Sequence, residues 1–216
     1  KTHRIPLSPK TCQRIDNRTR AAALAADVEM AAIYAIRAQA LARQLHGLQT
    51  GIDQYRRRIR ELFRLQPMAA LFASLPGAGD KLAPRLLAMF GTCKDRYAGA
   101  KNVAELAGVA PVTNQSGNTC HVKFRHSCKK LYRTTMHQFA WTSMRFCPWA
   151  RAYYDRCRDR GQSHPLALRN LAAKWLKIIY RMWQEDAPYD DARYLKALQH
   201  ANSPLATKLN LGTAGG

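Results

Sequence analysis

The longest regular pattern of apolar residues lies in the first third of the chain. Between residues 18 and 66, apolar side chains recur at alternating spacings of four and three, which is the a/d repeat of a coiled coil. Gly47 and Gly51 interrupt the pattern, and each costs about 1 kcal/mol in a helix interior. The repeat residues are, in chain order, Ala31, Tyr34, Ala38, Leu41, Leu45, Leu48, Ile52, Tyr55, Ile59 and Leu62. We therefore predict a long amphipathic helix that packs on its own domain or on a second copy of the chain.

Pro67 ends this pattern, and a pair of short apolar helices follows it. The first covers residues 68–75 and the second covers residues 82–90, with a Pro-Gly-Ala-Gly turn between them. This order is similar to a helix-hairpin-helix unit, in which backbone N–H groups at the start of the second helix bind a phosphate. An ordinary helical turn is the alternative interpretation. The candidate DNA-binding residues here are Gly77, Gly79 and Lys81.

Helices are also predicted for most of the remaining chain. They cover about residues 100–108, 127–146 and 149–160, and a last helix begins at Ser163. Ser127 is the predicted N-cap of the second of these. The last helix carries a wide apolar stripe, and we interpret its tryptophans as core residues rather than stacking platforms for bases. A strand is considered only for residues 119–124.

The predicted fold class is therefore mainly α: a long coiled-coil-like helix followed by a compact helical domain that contains a helix-hairpin-helix-like unit. The predicted boundaries are a connector from an upstream domain over residues 1–17, the coiled-coil helix over 18–66, the serine-containing domain over 67–188, and a polar tail over 189–216.

The charge of the chain points to a polyanionic partner. There are 35 Lys and Arg residues against 14 Asp and Glu residues, a formal net charge of +21 that is spread along the whole length. Such an excess opposes compaction by self-repulsion, so DNA or RNA is the expected partner and a merely soluble basic protein is the alternative. No apolar run approaches the roughly 20 residues that a membrane span needs, so we predict no membrane association and a cytoplasmic, nucleoid-associated protein.

The cysteines suggest free thiols rather than a disulfide framework. None of the six forms a CxxC pair, which fits a reducing compartment. Cys120, His121, His126 and Cys128 have ligand chemistry for zinc, but their spacing matches no standard finger. We therefore predict no metal site within these residues.

The candidate chemistry lies in residues 108–133. Pro111 excludes a continuous helix, and residues 113–118 are small or polar, which predicts an ordered loop or tight turn around Ser116 and Gly117. The Ser116 hydroxyl beside a cationic strip is a candidate to meet a phosphate, although an ordinary loop serine has the same local sequence. The candidate DNA-binding cations of this strip are Lys123, Arg125, Lys129, Lys130 and Arg133.

Several short motifs occur in a fixed order around this serine. They are Gly108-x-Ala110-Pro111, Ser116-Gly117, Phe124-Arg125-x-x-Cys128-x-x-Leu131, Pro148-Trp149-Ala150-Arg151-x-Tyr153-Tyr154 and Ala167-Leu168-Arg169-x-x-Ala172-x-x-Trp175-Leu176. Their order and spacing resemble the C-terminal domain of the insertion-sequence one-ten family of bacterial transposases, which includes the Piv-type DNA invertases. The resemblance covers about residues 71–194.

This resemblance implies a DNA recombinase in which Ser116 is the nucleophile. It also implies an upstream RuvC-like domain whose acidic residues bind Mg²⁺, a guide RNA made by the element, and a homo-oligomer (a dimer or tetramer) assembled through the coil. The alternative is a non-catalytic helical module that only binds nucleic acid. A covalent protein–DNA adduct that resists denaturation is expected only for the enzyme.

Overall fold

The computed structural model describes residues 13–15, 17–18, 28–116, 119–123 and 125–209, and only the backbone of residues 113–116 and 119–123. The protein is mainly α, as predicted. The chain divides into two units, Lys1–Tyr55 and Arg56–Gly216, so the division falls inside the long helix rather than at Pro67. None of the described helices combines the length and the apolar character that a membrane crossing requires.

The long helix is α1, Val28–Arg64, and it has no buried residue. Residues 13–15 and 17 are helical as well, within the segment predicted as a connector, and residue 18 is helical within the predicted coiled-coil segment. The apolar repeat stays exposed along its length: Leu45 is 67% exposed, Leu48 65% and Ile52 44%. The predicted helix is therefore present, whereas its packing in a coiled coil stays a prediction.

The second unit contains the remaining elements. In chain order they are α2 (Ala69–Ala73), α3 (Gly79–Phe90), a 3₁₀ turn (Lys94–Arg96), α4 (Ala100–Leu106), β1 (Val112–Ser116), β2 (Thr119–Lys123), α5 (Lys130–Ser143), α6 (Pro148–Asp159), α7 (His164–Glu185), α8 (Asp191–His200) and α9 (Pro204–Lys208).

Helix α7 lies at the centre of the core, because α4, α5 and α6 all pack against it. Its Trp175 is fully buried and contacts the rings of Phe139 on α5 and Trp149 on α6, with centroids 5.0 and 4.6 Å away. Each buried indole also needs a hydrogen-bond acceptor. Trp175 Nε1 donates to Ser143 Oγ at 2.8 Å, and Trp183 Nε1 donates to the Gly91 carbonyl at 2.8 Å. These tryptophans are core residues, as predicted.

The predicted polar tail is wrong for the described part of residues 189–216. This segment forms α8 and α9, and it buries Leu198, Leu205 and Ala206 in or against the core. Tyr189 fixes its start, because its hydroxyl accepts from Trp149 Nε1 and donates to a carboxylate oxygen of Asp191, both at 2.7 Å. The segment thus consists of two short amphipathic helices whose apolar side chains belong to the core.

The turn between α2 and α3 requires a glycine at position 77, the first of its two glycines. Gly77 has φ of +77°, and a Cβ atom there would lie 2.7 Å from the Phe146 ring and 3.1 Å from the Thr142 methyl group. The turn is thereby pressed against the C-terminal end of α5. Pro84 lies inside α3, one turn after its start.

Candidate active site

Ser116 lies at the far end of a β-ribbon. Strands β1 and β2 pair antiparallel, with Val112 opposite Lys123 at the base and Ser116 opposite Thr119 at the other end. A strand rises about 3.3 Å per residue, so the Ser116 backbone lies roughly 13 Å from Val112 along the ribbon. The candidate nucleophile is therefore displaced by that distance from the base of the ribbon.

The sequence predicted a loop over residues 113–118, and this is wrong for the four residues of that stretch that are described, which belong to β1. The possible strand at 119–124 is confirmed as β2 over Thr119–Lys123. Strand β1 was missed because its residues are polar and show no alternation of apolar side chains. A usable signal was the Gly117-Asn118 dipeptide between two runs of similar length, which is typical of a two-residue hairpin. Gly117 and Asn118 themselves lie outside the described residues.

Helix α4 anchors the two segments that lead into and out of this ribbon at its base. On the entry side, the backbone N–H groups of Val109 and Ala110 donate to the Ala104 carbonyl at 3.0 and 3.2 Å. On the exit side, the Lys129 N–H donates to the Leu106 carbonyl at 2.8 Å. The base of the ribbon is therefore fixed by backbone hydrogen bonds that do not depend on side-chain identity.

Two of the predicted DNA-binding cations take part in this anchoring. Arg133 Nη2 donates to the backbone carbonyls of Arg125 and His126, directly after the ribbon. Arg125 forms an ion pair with Glu105 on α4, with Nη2 and Oε1 3.4 Å apart. Both guanidinium groups are partly buried, so they shape the exit of the ribbon.

Gly108 makes room for the Arg133 guanidinium. It is buried at the end of α4 with φ of +63°, and a Cβ atom there would lie 2.5 Å from Arg133 Nη2 and 2.9 Å from Cys128 Cβ. A side chain at this position would push Arg133 away from the carbonyls that it binds. The absence of a side chain at Gly108, just before the ribbon, therefore allows Arg133 to bind the backbone just after it.

The remaining cations of the strip lie on the surface. Lys129 and Lys130 are exposed, and Lys129 Nζ lies 5.1 Å from the centroid of the Tyr132 ring. Lys123 belongs to β2, and its side chain is outside the described residues. Ser127, the predicted N-cap of α5, does not cap it, because α5 begins at Lys130 with Lys129 in the N-cap position.

A polar cavity of about 730 Å³ lies beside the base of the ribbon. Its lining includes the cations Arg96, Arg125 and Lys129, together with Asn102 and the carboxylate of Glu105. With three cations and one carboxylate among these residues, the cavity favours an anionic group.

The positive surface continues along α5 onto α7. Burial lowers the pKa of His137, and the nearby charges of Arg169 and Arg133 lower it further. Burial and Arg133 also lower the pKa of Arg169. Arg133 therefore places positive charge next to His137 and Arg169, and an anionic group such as a phosphate would be stabilised there.

The other predicted phosphate-binding feature lies at the opposite end of α5. Gly79 and Lys81 are exposed in the first turn of α3, and Gly77 contacts Phe146, just beyond the end of α5. A helix rises 1.5 Å per residue, so Phe146 and Arg133 are roughly 20 Å apart along α5. The structure therefore does not bring the Pro-Gly-Ala-Gly turn and the serine ribbon into one site.

Within the described part of the chain, no three His, Cys, Asp or Glu side chains are grouped so that they could share a metal ion. The side chains of Cys120 and His121 are outside the described residues. Cys93, Cys128, Cys147 and Cys157 are free thiols.

Residues 69–155 match the Transposase IS116/IS110/IS902 family. This region contains the ribbon, the turns at Gly77 and Gly108, and α5. This part of the chain belongs to that family. The transposase domain thus includes Ser116 and all the candidate cations named above. The resemblance inferred from the sequence is confirmed.

Individual relatives agree with this assignment. The 42 kDa protein of insertion element IS900 from Mycobacterium paratuberculosis is 32% identical over 153 residues, covering 70% of this chain and 38% of the relative. The 43.6 kDa protein of insertion element IS110 from Streptomyces coelicolor is 31% identical over 147 residues, 65% of this chain and 36% of the relative. The pilin gene-inverting protein of Moraxella lacunata is 29% identical over 125 residues, 56% of this chain and 38% of the relative. The chain spans between 36% and 40% of the length of the curated relatives it matches.

Proposed function

We propose that this chain carries the serine nucleophile of a DNA transposase or recombinase, and that Ser116 is that nucleophile. The observation that supports it is the position of Ser116 at the end of an anchored ribbon, inside the region that matches the transposase family, with the exposed Lys129 and Lys130 at the base of that ribbon. In the proposed step, the Ser116 oxygen bonds to a DNA phosphorus, and the bond from that phosphorus to the leaving sugar oxygen breaks. The serine proton is lost and the leaving oxygen gains a proton.

In this proposal some cations contact the DNA and others position the ribbon. A serine hydroxyl is a weak nucleophile, so the negative charge that develops on the phosphoryl oxygens needs stabilisation. Lys123, Lys129 and Lys130 contact the DNA backbone, whereas Arg125 and Arg133 position the ribbon. The turn before α3 and the first turn of that helix, with Gly77, Gly79 and Lys81, hold a second phosphate of the same DNA.

Mg²⁺ does not fit the described residues of this chain, because no carboxylate group suited to Mg²⁺ occurs among them. We therefore derive no step through the ion. We propose that its carboxylates come from a part of the transposase outside these 216 residues, so that the working site is shared with Ser116. The chain alone should then bind DNA without cutting it. Cleavage of DNA by the isolated chain in the presence of Mg²⁺ would contradict a shared site.

The exposed repeat of α1 supports assembly with a second copy. Leu41 is 50% exposed, Leu45 67% and Leu48 65%, and their a/d spacing fits a matching helix better than a flat surface. We propose a homo-oligomer held by this repeat. We also propose that the complex binds a guide RNA and associates with chromosomal DNA, both of which rest on the family resemblance. RNA that co-purifies with the protein and resists DNase would test the first of these.

The decisive experiment compares Ser116→Ala with Ser127→Ala in a transposition-competent protein that contains this domain. Ser127 is the matched control, because its hydroxyl is exposed and it lies a few residues beyond the ribbon. Ser116→Ala should abolish strand joining and the denaturation-resistant protein–DNA adduct while DNA affinity stays nearly unchanged. Ser127→Ala should retain both. Strand joining at the normal rate in Ser116→Ala would favour the alternative, a non-catalytic nucleic-acid-binding module.

A further inference from the structure

One tryptophan differs from the rest in its environment. Trp149, Trp175 and Trp183 are fully buried, whereas Trp141 on α5 is 47% exposed. Its ring is nevertheless held in place, because it meets the His164 ring edge-on with centroids 5.5 Å apart. His164 in turn is fixed by a 2.7 Å hydrogen bond between its Nδ1 and the Tyr154 hydroxyl. The chain thus presents a large aromatic surface that is both exposed and oriented.

Trp141 lines a groove of about 970 Å³. This volume is at the upper end of the roughly 300–1,000 Å³ that is usual for small-molecule sites. Apolar side chains and the Gly77–Gly79 turn form much of the lining, which includes Ile59 and Trp141. Such a groove favours a ligand with a flat apolar surface.

The charges around this groove are mostly positive. Lys81 and Arg85 are exposed at its lining, and Arg85 also donates to the Gln138 side chain at 3.0 Å. Asp80 is the carboxylate among the lining residues, and it forms an ion pair with Arg60 at 3.5 Å. The ligand should therefore carry negative charge next to its flat apolar part.

An unpaired nucleic acid strand has both properties. Each nucleotide has a phosphate and a base with a free face, and bases of unpaired strands stack on aromatic side chains with little sequence preference. In a duplex these faces are covered by neighbouring bases, so a duplex cannot stack on Trp141. We propose that the groove binds an unpaired strand, with one base stacked on Trp141 and adjacent phosphates on Lys81 and Arg85.

This inference rests on the proposed function only in taking nucleic acid as the ligand. Stacking on Trp141 does not involve the Ser116 hydroxyl. The Ser116→Ala chain should therefore bind an unpaired strand normally, and loss of one property leaves the other measurable.

The test uses the 216-residue chain with short oligothymidylate, oligouridylate and a duplex of matched length. Binding of an unpaired strand should quench tryptophan fluorescence, because Trp141 is the exposed indole. Trp141→Ala should lose that quenching and bind the single strands about 5- to 150-fold more weakly, while duplex affinity stays unchanged. Trp141→Phe keeps an aromatic face and should retain most of the affinity, which separates stacking from damage to the fold. Leu131→Ala is the matched control, because Leu131 is an exposed apolar residue on the same helix and does not line the groove.

The two oligonucleotides distinguish a DNA strand from an RNA strand, and preference for either supports the proposal. Equal losses for single strand and duplex in Trp141→Ala, or no loss at all, would overturn it. Trp141-dependent binding of polyglutamate as tight as that of the oligonucleotides would also overturn it, in favour of an acidic protein segment.

Discussion

Replacing Gly108 with alanine should destabilise the transposase domain more than the same change at another left-handed glycine. The backbone at Gly108 has φ of +63°, and an L-residue in this region costs about 1–2 kcal/mol. The new methyl group would also lie 2.5 Å from Arg133 Nη2, 2.8 Å from its Nε and 2.9 Å from Cys128 Cβ. Overpacking of this kind costs about 1–3 kcal/mol, so the total should be roughly 2–5 kcal/mol.

Gly161→Ala is the matched control for this change. Gly161 has φ of +77°, but a Cβ atom there would have nothing within 4 Å. Only the backbone strain of about 1–2 kcal/mol applies to it. The loss of unfolded-chain entropy on changing Gly to Ala is the same for both variants and cancels in the comparison.

The measurement is the free energy of unfolding in urea, extrapolated to water for each variant. The expected difference between Gly108→Ala and Gly161→Ala is about 1–3 kcal/mol, which is the cost of the collision alone. Gly108→Ala should cost less in an Arg133→Ala background than in the unchanged protein, since two of the three close contacts are then absent. Equal destabilisation by the two glycine substitutions would refute the coupling between Gly108 and Arg133.

Three further results are expected. Lys130→Gln should lower the slope of log K against log salt for duplex DNA by about 0.9, because it removes one phosphate contact, and an unchanged slope would place the backbone contacts elsewhere. Aspartate at both Leu48 and Ile52 should reduce the mass measured by light scattering to that of a monomer without altering the thermal unfolding of the second unit, and an unaltered mass would show that this repeat does not hold copies together. The free energy of unfolding should fall as the pH drops below about 6.5. The pKa of His137 is lowered in the folded chain, so the unfolded chain binds this proton more tightly than the folded chain does. His137→Gln should show a smaller fall.

The elements that could be predicted from the sequence are those with strong periodicity or clear breakers. The apolar repeat predicted α1, and Pro67, Gly91, Pro148 and Gly161 marked helix ends correctly to within a few residues. The motif order identified the family, because several weak motifs at fixed spacing are together more specific than any one of them.

What could not be predicted depends on contacts between distant residues. Strand β1 is polar throughout, so only its pairing with β2 reveals it. From the sequence alone, Arg125 and Arg133 could not be distinguished from Lys129 as candidate DNA-binding cations. The ion pair of Arg125 with Glu105 and the bond from Arg133 to a backbone carbonyl form only when α4 and α5 have packed. The helices after residue 188 were missed because they are short, with 10 and 5 residues, although three of their side chains are buried in or against the core.

Helix α5 separates two surfaces by a fixed length. The serine ribbon leaves near its N-terminal end, and the groove with Trp141 and the glycine turn lies near its C-terminal end, roughly 20 Å away at 1.5 Å per residue. A stacked strand of B-form DNA rises about 3.4 Å per nucleotide, so this length corresponds to about six nucleotides. A strand that lies in the groove and reaches the base of the ribbon would therefore span about six nucleotides, a length that α5 fixes without reading any base.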